Sequence, residues 1–127
     1  MNLEIAETSS SPFISADGDA GRVVIRGDSY PENSFELFRP LIEWVETYLA
    51  QAGRPLRFEI ELLYMNTSSV RVMMDIFDLL ESAFQQGTDV GVVWLFDAGN
   101  ERVAELAEEF KEDCTFPFAI TAKARTP

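Results

Sequence analysis

Two short runs with strand composition, residues 13–16 and 22–26, flank the turn-rich segment 17–21. Turn-forming residues between two such runs are typical of a β-hairpin with a loop of about five residues. The residues before this hairpin, 1–12, end in a Thr-Ser-Ser-Ser-Pro run without periodicity. We therefore expect residues 1–12 to be a flexible lead-in to a single folded domain over residues 13–124.

A first helix is predicted after the turn-rich segment 27–31. Asn33 is followed three residues later by Glu36, which is the spacing of an N-cap and its reciprocal acid. Pro40 lies inside the pattern, so either the helix kinks there or a short first turn ends and the main helix restarts with Pro40 near its first position. The apolar positions recur at helical spacing: Phe35, Phe38, Leu41, Ile42, Val45, Tyr48 and Leu49.

Residues 56–62 alternate between apolar and charged side chains, which predicts a strand with one buried and one wetter face. A second helix follows and ends at Gly87. We interpret its methionines, Met73 and Met74, as core residues. The apolar stripe of this helix comprises Val70, Met73, Met74, Phe77, Leu80 and Phe84.

The last third of the chain predicts a strand, a helix and a strand. Residues 90–96 are almost continuously apolar, as in a buried central strand. Asn100 is placed to cap a third helix, whose outer side is acidic. Residues 116–122 alternate like a strand, and we expect residues 123–127 to form a frayed tail.

The predicted element order is ββαβαβαβ. Alternation of strands and helices favours an α/β fold with largely parallel β-α-β crossovers. We expect a single domain with a mixed five-stranded sheet. Because the strand over 56–62 keeps one charged side, we expect the helices mainly on one face of the sheet.

Composition excludes several classes of function. The 127 residues carry a formal net charge of -12, which argues against nucleic acid as a partner. Histidine is absent and no phosphate-binding glycine loop is present, so we expect no enzyme activity, no metal and no cofactor. The one cysteine, Cys114, has acidic neighbours, which is typical of an inert thiol. With no signal peptide and no apolar run of about 20 residues, we expect a cytoplasmic protein without membrane insertion.

Three consecutive hydroxyl side chains, Thr67, Ser68 and Ser69, mark the junction between the third strand and the second helix. They and Asn66 are preferred helix caps, because their side chains accept hydrogen bonds from unpaired helix N–H groups. A helix start also favours a phosphate group, and Arg71 lies one turn away to pair with it. Both interpretations stay open from the residues alone.

A second conspicuous segment, residues 27–33, precedes the first helix. Its default interpretation is a turn followed by a helix cap. It is also placed to border the same end of the sheet, so we regard Asp28, Ser29 and Tyr30 as a possible partner surface.

Three long blocks, GDSYPENSFELF, LLYMNTSSVRVMMDIFDLLE and NERVAELAEEFKEDCTFPFAI, resemble the SiaC family of biofilm-regulatory phosphoproteins. The resemblance implies a fold like that of STAS domains. It also implies a Ser/Thr protein kinase and a PP2C-type phosphatase as partners, and an unmodified form that binds and activates a diguanylate cyclase, promoting cyclic di-GMP synthesis. By the N-T-S-S block, the family's phosphoacceptor falls on Thr67, with Ser68 and Ser69 as alternatives and Asn66 and Arg71 beside it.

Two other functions remain as alternatives. An antagonist of an anti-sigma factor would share the switch and regulate transcription. A small-molecule binder or minor enzyme would use the open sheet face, although the lack of histidine and of a glycine loop argues against it.

Overall fold

Six strands and three helices make up the computed structural model, which describes residues 2–51 and 53–123. The strands are β1 (Asn2–Ile5), β2 (Phe13–Asp17), β3 (Arg22–Ser29), β4 (Leu56–Met65), β5 (Val90–Asp97) and β6 (Phe118–Lys123). The helices are α1 (Ser34–Leu49), α2 (Thr67–Gln85) and α3 (Glu101–Glu112).

The strands form one mixed sheet in the order β1-β2-β3-β4-β5-β6. The first three strands are antiparallel, and β3 to β6 are parallel neighbours joined by helices. Every crossover steps one strand in the same direction, and such crossovers are right-handed, so the three helices lie on one face. The α/β fold, the mixed sheet and the N-terminal hairpin are confirmed.

Strand β1 is the main departure from the predicted order. Leu3 and Ile5 are half-buried, and they pair with Ala16 and Ile14 of β2. The sheet therefore has six strands and not five, and the segment expected to be a flexible lead-in contains the first of them. Only two apolar residues carry the alternation, beside a serine run, so the pattern was too short to predict a strand.

Strand β3 extends through the segment predicted to break the pattern. Its register against β4 shifts between Gly27 and Asp28, which marks a β-bulge. Gly27 has a φ of 114°, a conformation that side-chain-bearing residues rarely adopt. Glycine therefore marks a bulge here, and β3 continues to Ser29, which brings that residue to the carboxyl edge of the sheet.

Helix α1 is continuous across Pro40, which excludes a restart there, one of the two alternatives that the sequence left open. Asn33 caps it, with its side chain accepting a hydrogen bond from the Glu36 N–H at 3.2 Å. Proline removes the bond that residue 40 would donate to the Glu36 carbonyl, but both residues are exposed, so water can satisfy that carbonyl. The inward face holds the helix together: Phe38, Leu41, Trp44, Val45 and Tyr48 are buried.

The core lies between the sheet and the three helices. Trp94 of β5, which is paired on both sides by β4 and β6, packs against Phe110 with ring centroids 5.5 Å apart. Met73 is fully buried, as predicted, but Met74 is 48% exposed. The prediction that Met74 lies in the core is wrong, because the inward face of α2 is centred between Val72 and Met73, and Met74 lies beyond the edge of that face.

The opposite sheet face carries charged pairs instead of helices. Arg22 of β3 lies 2.7 Å from Glu59 of β4, and Lys123 of β6 lies 2.9 Å from Glu61. None of the helices in the described part of the chain is long and apolar enough to cross a membrane. Of the predicted tail, Lys123 belongs to β6, and residues 124–127 lie outside the described residues.

Candidate functional site

Asn66 forms the N-cap of helix α2 and ties it to the preceding strands. Its side-chain oxygen accepts hydrogen bonds from the Ser69 N–H at 2.9 Å and from the Ser68 hydroxyl at 3.2 Å. Its amide group donates to the carbonyl of Pro31 at 3.0 Å, and its backbone N–H donates to that of Ser29 at 2.9 Å. Asn66 is therefore the residue that caps α2. The hydroxyl groups of the three residues that follow it are available for other contacts.

Three buried serines from different elements meet behind this cap. Ser69 of α2 shares hydrogen bonds with Ser29 of β3 at 2.7 Å and with Ser34 of α1 at 2.9 Å. All three are essentially inaccessible to solvent. Buried hydroxyls that pair with one another avoid the cost of unsatisfied polar groups. This serine cluster, Ser29, Ser34 and Ser69, therefore fixes the start of α1 against the start of α2.

The three candidate hydroxyls have different environments. Thr67 is exposed at the first residue of α2, whereas Ser69 is buried in the serine cluster. Ser68 lies between these extremes: it is half-buried and hydrogen-bonded to Ser34 at 2.7 Å. Within residues 2–51 and 53–123, no hydrogen bond engages the Thr67 hydroxyl. Thr67 is therefore the most exposed of the three hydroxyl residues.

Arg71 is exposed one turn after Thr67 on the same helix. Residues four apart on a helix lie on the same face, so the guanidinium group is in reach of a group attached to Thr67. Among the residues that the structure describes, the ion pairs involve Arg22, Arg57 and Lys123, and not Arg71.

The possible partner surface divides into buried and exposed parts. Asp28 and Tyr30 are exposed, but Ser29 is fully buried, so the prediction of a partner surface stands for the first two only. The ring of Tyr30 meets that of Tyr64 edge to face, with centroids 5.8 Å apart. Both tyrosines remain about half exposed, at 45% and 57%. Two large exposed rings therefore stand at the sheet edge from which α2 begins.

Sequence reasoning missed Ser34 and Tyr64. Ser34 looked like one more residue at a helix start, and its partners Ser68 and Ser69 are 34 and 35 positions away in the chain. Tyr64 belongs to the block that carries the hydroxyls, but its pairing with Tyr30 depends on the register of β3 and β4. Neither contact has a local sequence signal.

Cys114 has the surroundings of an unreactive thiol. Burial, with Glu81 and Asp113 nearby, raises the pKa of Cys114 to about 11. Its sulfur donates a hydrogen bond to the carbonyl of Phe110 at 3.3 Å. No cluster of three or more metal-ligating side chains exists in the described part of the chain. The start of α2 presents the Thr67 hydroxyl at a helix N-terminus, with Arg71 one turn away.

A family model for SiaC family regulatory phosphoproteins matches residues 5–123. The chain belongs to the SiaC family. Membership in a family of regulatory phosphoproteins agrees with the prediction that the chain is not an enzyme.

Individual proteins are similar to this chain along nearly their whole length. A protein of Pseudomonas aeruginosa strain UCBPP-PA14 is 59% identical over 121 residues, which is 95% of this chain and 96% of the relative. The crystal structure of apo-SiaC from Pseudomonas aeruginosa superposes with a TM-score of 0.92 at 56% identity, covering 96% of this chain and 99% of the other. A chain in the crystal structure of the diguanylate cyclase SiaD in complex with its activator SiaC gives 0.93 at 59% identity, covering 95% and 99%.

Proposed function

We propose that this SiaC-family protein, in its unphosphorylated form, binds and activates a diguanylate cyclase, and that phosphorylation of Thr67 prevents this binding. The proposal is supported by the likeness to a chain in the complex of SiaD with its activator SiaC. That complex favours a cyclase over an anti-sigma factor as the partner. A Ser/Thr protein kinase and a PP2C-type phosphatase set the phosphorylation state, and cyclic di-GMP synthesis and biofilm formation follow from the unphosphorylated form.

The exposure of Thr67 is the observation that carries the proposed site. A kinase transfers the γ-phosphoryl group of ATP to a hydroxyl oxygen, which loses its proton, and ADP leaves. Such an enzyme must surround the hydroxyl, which the burial of Ser69 and the hydrogen bonds of Ser68 oppose. The phosphatase restores the hydroxyl by hydrolysis with water, releasing inorganic phosphate.

The start of α2 suits a phosphate group in charge and geometry. Unpaired N–H groups and the positive end of the helix dipole stabilise an anion there. A phosphothreonine adds roughly 1.5 to 2 negative charges and three strong acceptor oxygens at neutral pH. At the same end of the sheet as the exposed rings of Tyr30 and Tyr64, this charge would have to lose water when a partner covers the surface, which disfavours the complex.

Intact-mass analysis after coexpression with the cognate kinase tests the site. We expect one added phosphate on the wild-type protein and on Ser69→Ala, and none on Thr67→Ala. Ser82→Ala, on an exposed part of α2, is the matched control for replacing a helix hydroxyl and keeps the phosphate. A single phosphate that persists on Thr67→Ala, or an unmodified wild type, would contradict the assignment.

A further inference from the structure

Arg71 is an exposed cation one turn after Thr67 on a strongly acidic protein, and like Arg39 and Arg102 it makes no ion pair within the described residues. The chain carries 22 acidic and 10 basic residues, and the acids outnumber their possible partners. Even so, within the described ranges 2–51 and 53–123, no carboxylate lies within salt-bridge distance of Arg71. An exposed guanidinium without an ion pair can bind a carboxylate from outside through two parallel hydrogen bonds, in competition with Asp75 four residues on in the same helix.

The surface around Arg71 also offers apolar contact. Thr67, Arg71 and Met74 follow one another at helical spacing and are all exposed, so they share one face of α2. Met74 is one of the few large apolar side chains of the described chain that is about half exposed. It borders a small crevice that continues to Phe110 and Cys114 on the α3 side and has Asp78 and Asp113 at its rim. Methionine and arginine are among the residues enriched where proteins bind one another.

We propose that Arg71 changes its binding partner according to the phosphorylation state of Thr67. In the unmodified protein Arg71 binds a carboxylate of the diguanylate cyclase, and an apolar side chain of the cyclase contacts Met74. In the phosphorylated protein Arg71 is captured by the phosphate on Thr67, one turn away, and the carboxylate of the cyclase is repelled. This inference rests on the proposed function and names the charge that the partner must present.

The charges along α2 determine where an acidic partner residue can bind. Asp75 and Asp78 are exposed further along the helix and repel a carboxylate. Towards the N-terminus, Arg71 and the positive end of the helix dipole attract it. A phosphate on Thr67 occupies this same attractive region. Because the phosphate is held in the same molecule, it meets Arg71 at a high effective concentration and competes well with a partner's carboxylate.

Two measurements on the same set of variants test the proposal. The first is the affinity of the unmodified protein for the full-length cyclase, by calorimetry or biolayer interferometry. We expect Arg71→Ala to weaken binding about tenfold or more, the scale of a lost interfacial charge pair, and Arg71→Lys to weaken it less. Arg39→Ala, an equal charge change at an exposed position of α1, leaves the affinity within about twofold.

The second measurement is a phosphorus NMR titration of the phosphorylated variants. A paired guanidinium stabilises the dianionic phosphate, so we expect the second phosphate pKa to be higher in Arg71→Ala than in the wild type and in Arg39→Ala. A purely structural role of Arg71 would not change this pKa. Thermal melting of each variant confirms that it remains folded, as the exposure of both arginines leads us to expect.

The outcomes separate this inference from the proposed function. Wild-type protein that does not bind the cyclase would contradict the proposed function and the inference together. A wild type that binds while Arg71→Ala and Arg39→Ala behave alike would overturn only the role of Arg71 in binding the partner. An unchanged phosphate pKa in Arg71→Ala would overturn its capture by the phosphate.

Discussion

Ser34 links the start of α1 to the start of α2 through hydrogen bonds. It is buried, and its hydroxyl lies 2.7 Å from that of Ser68 and 2.9 Å from that of Ser69. The exposed Thr67 is the direct neighbour of Ser68 in the chain. The exposed hydroxyl of Thr67 therefore lies next in the chain to a buried, hydrogen-bonded cluster.

Replacing Ser34 by alanine should destabilise the protein by about 1–3 kcal/mol, since it leaves buried hydroxyls with fewer partners. Urea unfolding followed by far-UV circular dichroism measures this free energy. Ser82→Ala, at an exposed position of α2, is the matched control and should change stability by less than about 0.5 kcal/mol. Equal unfolding midpoints for the two variants would contradict the role assigned to the serine cluster.

The exposure of each hydroxyl group at the start of α2 could not be predicted from the sequence. The hydroxyls of Thr67, Ser68 and Ser69 are chemically similar, and their spacing does not reveal which one is exposed. Their environments depend on Ser29 and Ser34, which belong to other elements and come into contact only through the fold. Local patterns predicted the helix start correctly, but the accessibility of each hydroxyl is a tertiary property.

Helix α2 is anchored at both ends. At its start Asn66 caps it, and near its end the Glu81 carboxylate accepts hydrogen bonds from the backbone N–H of Thr115 at 2.7 Å and from its hydroxyl at 2.6 Å. These bonds, together with one from Gln85, lower the pKa of Glu81 from its usual 4.5. The carboxylate therefore connects α2 to the segment between α3 and β6.

The Glu81 contact should give the protein a specific pH dependence. Because the folded-state pKa is depressed, the ionised carboxylate contributes stability above about pH 4.5, and this contribution is lost as the pH falls through the folded value. Thermal melting should show Glu81→Gln to be less stable than wild type at pH 7, with the difference shrinking below pH 4.5. Glu108→Gln, at an exposed position of α3, is the matched control and should change stability by less than about 0.5 kcal/mol at pH 7. A pH-independent deficit in Glu81→Gln would contradict the account.

At the element scale, the helices and strands with long periodic patterns were predicted well, and those with short or interrupted patterns were not. The hairpin, the three helices and the buried strand β5 follow from local patterning. Strand β1 was missed because two apolar residues carry too little pattern, and the end of β3 because its glycine marks a bulge instead of a turn. The continuity of α1 across Pro40 depends on packing of its inner face, which overrides the local effect of proline.

At the scale of the whole molecule, the charge of -12 opposes compaction through self-repulsion. We expect the melting temperature to rise as sodium chloride increases from about 0.02 M to about 0.5 M, because salt screens this repulsion. The double variant Glu108→Lys and Glu112→Lys changes the net charge by +4, to -8, and should respond less. A melting temperature that falls with salt, or equal responses of the two proteins, would contradict this expectation.

The most direct test of the central claim is the rate of cyclic di-GMP synthesis by the cognate diguanylate cyclase, titrated with this protein in two forms. One form is unmodified and the other is fully phosphorylated by the kinase, with occupancy confirmed by intact mass. We predict that the unmodified form raises the rate in a saturable manner, that the phosphorylated form does not, and that phosphatase treatment restores activation. Equal stimulation by the two forms, or none by the unmodified form, would contradict the account of Thr67 as the switch.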